Sequence, residues 1–108
     1  MIIKSDRILK FFGLFLGGSK YITALAFYPF IFVASKTIVT DRLINHERIH
    51  LKQQKELLII PFYVVYLYEL YTKSYENISF EREAYANDYD LNYLKKRKIF
   101  AFRKYYIK

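Results

Sequence analysis

Residues 41–58 read DRLINHERIHLKQQKELL, and their apolar positions Leu43, Ile44, Ile49, Leu51, Leu57 and Leu58 recur at helical spacing. Thr40 or Asp41 stands where a helix would be capped. His46 and His50 are the only histidines in the chain, and they enclose an HExxH motif. One helical turn apart, their imidazoles share a face at the separation a single tetrahedral metal ion bridges. Glu47 is turned by about 100° from His46, beside such an ion, where it can act on a bound water without displacing it. The plainer alternative is a pair of helix-surface histidines with an incidental acid, since the bare motif also matches unrelated helices.

Working outward, a zinc site needs a third protein ligand. The chain has no cysteine and no further histidine, so that ligand must be Asp or Glu, and thiolate or disulfide chemistry is excluded. Residues 80–88, FEREAYAND, carry Glu81 and Glu83 on a predicted helix that starts near Ser79, which is placed to cap it. With Glu81 as ligand, Ala84 permits close helix approach and Tyr85 adds a hydroxyl one turn on. With Glu83, Ala86 and Asn87 take those places, so the register is open from the residues alone. Tyr85 is the best candidate oxyanion donor in the Glu81 register. One of Gln53 and Gln54 should face the site or the third helix while the other is solvated, and Asn45 is placed to cap or orient a loop.

The run NHERIHLKQQ (Asn45–Gln54) with FEREAY (Phe80–Tyr85) resembles the gluzincin branch of HExxH zinc metallopeptidases, closest to small bacterial minigluzincin-like domains. The resemblance covers residues 27–94. It implies a zincin-like minimal domain in which Zn2+ is bound by His46, His50 and Glu81. It also implies that Glu47 is the general base for a metal-bound water attacking a peptide bond. Tyr85 departs from the family pattern, where Asn or Asp would orient a ligand. By the same resemblance the strand Phe30–Val33 would lie as an edge above the site and pair with an extended peptide or protein substrate; the equal alternative is that it only completes a small sheet.

The remaining sequence bounds the architecture. A chain of 108 residues that is 54% hydrophobic supports one core and a single domain, 1–108, and excludes disorder as the main reading. Its parts are an apolar and basic segment (1–20), a core (21–94) and a basic-aromatic tail (95–108). The fold class expected is α+β and mainly helical, with a small N-terminal sheet or edge strand packed on the helix of the motif and two or three further helices. Residues 1–10 are polar and basic with apolar residues between, and 11–18 are a short apolar run; ended by Gly17-Gly18, they fit a first amphipathic helix better than a secretory leader cut after Ala24-Leu25-Ala26. One or two short strands are expected in 21–35, the second being Phe30–Val33, with Pro29 arguing for an edge. Pro61 should kink or end the motif helix, and Phe62–Tyr71 should continue as a mainly buried helix, a strand being the alternative. No charge-free run reaches the roughly 18–20 residues of a spanning helix.

The net charge of +8 is concentrated: residues 95–108 hold seven basic groups and no acid. Ile99, Phe102 and Tyr106 are spaced for a final helix with a solvated basic face. Such a tail also suits an anionic membrane surface, whereas nucleic acid is the less favoured partner. A cytoplasmic or peripherally membrane-associated protein is expected, and the oligomeric state is open. The functional alternative to a hydrolase is a non-catalytic metal-binding or peripheral-membrane interaction module.

Overall fold

The computed structural model describes residues 2–16 and 24–106, with side chains up to residue 12 in the first helix. The Gly17-Gly18 terminator lies outside the described residues. In chain order the elements are β1 (Ile2–Lys4), α1 (Asp6–Leu16), β2 (Ala24–Phe27), β3 (Phe30–Val33), α2 (Asp41–Leu57), α3 (Ile59–Lys73), α4 (Ser79–Asn87) and α5 (Tyr93–Lys96). Short 3-10 turns cover Tyr75–Asn77 and Ala101–Tyr105. The class is α+β and mainly helical, as the residue patterns imply.

The three strands form one sheet in the order β1-β3-β2, with β1 parallel to β3 and β2 antiparallel to it. Phe32 at its centre pairs with Ile3 on one side and Leu25 on the other. This corrects the expected edge position of Phe30–Val33: β3 is the central strand. The parallel β1 was not anticipated, because three residues ahead of a helix carry too little alternation to read as a strand. Pro29 lies in the Tyr28-Pro29 turn, with a cis peptide bond, so its missing N–H removes nothing from the ladder. Asp6 ties the start of α1 to the end of β3, accepting from the Ser35 N–H at 2.9 Å and its hydroxyl at 2.6 Å.

Thr40 caps α2, its Oγ1 accepting from the Leu43 N–H at 3.1 Å. The helix ends at Leu58, which takes a left-handed φ of 67°, three residues ahead of Pro61. Pro61 then falls in the first turn of α3, where a missing N–H costs nothing. On α3 only Phe62, Tyr66 and Glu69 are buried, so the expected mainly buried helix is instead buried on one stripe. Phe62 packs on Phe80 of α4 in a tilted pair, 4.4 Å between ring centroids, and Phe102 reaches the same ring from the tail at 4.9 Å. These rings and Leu25, Phe32 and Ile78 form the core between sheet and helices.

Two further expectations are revised. Ser79 is the first residue of α4 rather than its cap; its N–H and hydroxyl are held by the buried Glu69 carboxylate at 2.9 and 3.1 Å. An acid from α3 thus serves the positive end of α4. The tail is not one helix either. It breaks at Arg97, whose fully buried side chain pairs with Glu56 and Glu83. Phe100 turns left-handed at φ 56°, and its N–H reaches Glu56. Phe102 is buried as its spacing suggests, while Ile99 is exposed.

Candidate metal centre

The inward stripe of α2 carries Asn45, His46, Ile49, His50 and Gln53, all buried. Four-residue spacing stacks the two imidazoles, whose ring centroids lie 4.9 Å apart. α4 brings Glu81 against them. Its Oε1 lies 3.2 Å from His46 Nε2 and 3.1 Å from His50 Nε2. Metal–nitrogen and metal–oxygen bonds of about 2.0–2.1 Å in a tetrahedron give ligand-to-ligand edges of about 3.3 Å, close to these separations. The three candidate ligand atoms all lie within 4.8 Å of one another.

The outer partners orient these ligands. His46 Nδ1 faces Asp88 Oδ2 at 2.9 Å, and His50 Nδ1 faces Gln53 Oε1 at 2.8 Å. Both partners can only accept, so each Nδ1 carries the proton. The orientation of the Gln53 amide is itself forced, because its Nε2 donates to the Phe80 carbonyl at 3.1 Å and to Glu83 Oε1 at 2.9 Å. Tyr66 donates to the other oxygen of Glu81 at 2.8 Å. With both Nδ1 positions protonated, the lone pairs of two Nε2 atoms and one carboxylate oxygen converge. A proton or a metal cation is needed to reconcile them. The donor set therefore fits a metal ion, and the buried group of His46, His50 and Glu81 can hold one.

Electrostatics without a metal express the same demand. Burial works against a charge on His50, yet Glu81 outweighs it and the imidazole is pushed up to about 9. Burial likewise acts to raise Glu81, but His50 and His46 hold it well below the usual carboxylate range. Arg42 Nε donates to Asp88 Oδ1 at 2.7 Å. Asn45 holds the loop after α4 through the carbonyls of Asp88 and Asp90, both at 2.9 Å, which is the loop-orienting role its position suggested.

Glu81 is therefore the carboxylate brought to the histidines, and Glu83 is not. Two residues apart on a helix, they differ by roughly 200°. Glu83 accepts from Arg97, Tyr93 and Gln53 on the far side. Glu47 is buried beside the pair and lines the adjoining cavity, with no hydrogen-bond partner among the described residues. Burial raises its pKa against the lowering effect of His50 and His46.

Tyr85 meets the site edge-on, its ring centroid 4.5 Å from that of His46. Its hydroxyl pairs with that of Tyr75 at 3.1 Å, so the hydroxyl serving Glu81 is Tyr66 instead. Nothing local distinguished Tyr66 among 12 tyrosines. Asp88 was legible in principle: it follows Glu81 by seven residues, two turns on the same face.

A cavity of about 770 Å³ opens on the cluster, lined by β2, α2, α3 and α4. The strand at its wall is β2, through Ala24, Leu25 and Ala26, not the central β3. Gln54 pins that strand, donating to the Ala26 carbonyl at 2.8 Å and accepting from the Tyr28 N–H at 2.7 Å. Neither glutamine is solvated, contrary to expectation: both are buried. No protein-family model matches the chain, and no curated protein or solved structure matches it.

Proposed function

We propose that the protein is a zinc-dependent peptidase in which His46, His50 and Glu81 are the ligands and Glu47 is the general base. The observation that carries this reading is the convergence of three oriented lone pairs, from α2 and α4, at the wall of an open cavity. A structural zinc site is closed by four protein ligands, whereas a catalytic one keeps a position open to a cavity. That contrast favours hydrolysis over a purely architectural metal.

A zinc ion held by His46, His50 and Glu81 would supply Lewis acidity for a carbonyl and for water. Glu47 receives the proton of the attacking water and returns it to the leaving amine. Its place beside the pair and at the cavity wall is where a carboxylate would reach such a water. Asp88 and Gln53 keep both imidazoles in the tautomer that offers Nε2 inward. Tyr66 holds Glu81 by one oxygen and leaves the other to the histidines. Gln54 takes the outer side of β2 at Ala26 and Tyr28, so an extended peptide adding its backbone to the sheet would meet the strand at Ala24 and Leu25, on the cavity wall.

The test is elemental analysis of protein purified without added metal, together with cleavage of an unfolded protein substrate. Glu47→Gln is expected to keep stoichiometric zinc and lose hydrolysis by about 10²–10⁴-fold, while His46→Ala loses both. A Glu47→Gln protein that remains fully active sinks the assignment of the base, and a wild type that never takes up zinc sinks the reading altogether.

A further inference from the structure

Between Leu57 and Tyr71 the only charged residue is Glu69, and that side chain is fully buried against the start of α4. The outer face of α3 is therefore uncharged up to Lys73, its last residue. Ile60, Val64, Tyr68 and Tyr71 follow one another at helical spacing on it and are each 60% to 75% exposed. A helix apolar on its solvent side as well as on its core side lacks the polar face of a water-bounded one. At about 1.5 Å per residue, its 15 residues extend only about 22 Å against a hydrocarbon core of about 30 Å. It is also held to the domain by Phe62, Tyr66 and Glu69. Such a helix can lie in a membrane interface but cannot cross it.

The distribution of charge names the partner. Glu47, Glu69, Glu81, Glu83 and Asp88, half of the ten acids, are buried. Among the described residues every Lys and Arg other than Lys73, Arg82 and Arg97 is exposed. Folding thus withdraws acids from the surface and leaves the cations on it. Cations stand near both ends of the apolar face. Lys55 occupies the last turn of α2, just before Leu58. At the other end Lys73 bonds to the Tyr106 hydroxyl at 3.0 Å, which brings Arg103 and Lys104 of the tail alongside. A second copy of the chain would present the same positive rim and be repelled.

We propose that α3 docks the protein on an anionic lipid surface, its outer face entering the interface while Lys55, Lys73, Arg103 and Lys104 meet the headgroups. Tyrosines suit that depth, with an apolar ring and a wet hydroxyl. The surface is independent of the metal centre, although the inner face of the same helix lines the cavity through Phe62, Tyr63 and Tyr66.

The experiment is flotation of the full chain with vesicles of phosphatidylcholine alone or containing about 30% phosphatidylglycerol. Binding is expected only to the anionic vesicles and to weaken with salt. Val64→Glu and Tyr68→Glu, both at exposed positions, should each reduce it by about tenfold with an unchanged circular dichroism spectrum. Failure to bind anionic vesicles overturns the proposal. So does binding undiminished in both variants, which would move the contact elsewhere. A concentration-dependent dimer in the absence of lipid, abolished by Val64→Glu, also overturns it by assigning the face to a second copy.

Discussion

Glu81 and Glu83 stand two residues apart on one short helix, both buried and both held below the ordinary carboxylate pKa, yet they sit in opposite kinds of site. Burial opposes the charge of each. Glu83 is compensated by Arg97, whose guanidinium keeps its charge at any working pH and also spans to Glu56. Glu81 faces two imidazoles, and its compensation is a proton on His50, which against burial it pushes up to about 9, or a metal cation in that proton's place. One carboxylate is locked into the architecture by a permanent cation, and the other is balanced by groups that can exchange a proton or hold a metal ion. Gln53 joins the two clusters, with its oxygen on His50 and its nitrogen on Glu83, so the fixed cluster sets the orientation of the exchangeable one.

The contrast breaks most sharply at Arg97. Arg97→Met leaves Glu83 buried without its cation and should cost about 3–5 kcal/mol in urea unfolding, whether or not metal is present. Asp88→Asn acts on the other side. It withdraws the anionic acceptor from His46 Nδ1, and zinc affinity read by chelator competition should fall about 10- to 100-fold while the fold persists. If affinity is unchanged, Asp88 serves the fold through Arg42 and not the metal. The smallest and sharpest comparison sets Tyr66→Phe against Tyr93→Phe, since each hydroxyl donates to one of the two carboxylates. Each should cost about 1–1.5 kcal/mol of stability without metal. Only Tyr66→Phe should also alter zinc affinity.

What was legible and what was not divides along the range of the interactions. His46, Glu47 and His50 could be placed from spacing because a helix converts four-residue separation into adjacency wherever it occurs. Thr40, whose capping partner is three residues away, was legible for the same reason. The choice between Glu81 and Glu83 was open from their own residues, since each had a plausible set of small and polar neighbours. It is decided by Arg97 and Tyr93, which claim Glu83 from across the fold. Ser79 looked like a cap, but the acid that serves α4 comes from α3, ten residues back. The central place of β3 depends on β1 pairing with it across 29 residues, a contact without a local signature.

The amino-acid order by itself determined the helix of the motif, the inward histidine pair and the exclusion of every ligand type but a carboxylate for a third position. Those follow from backbone periodicity and from which side chains exist. Only the tertiary structure decided which carboxylate arrives, which tyrosine and aspartate steady the site, and which strand forms its wall. The reason is that a buried charge is settled by whichever compensating group reaches it first in space, and that group lies far away along the chain.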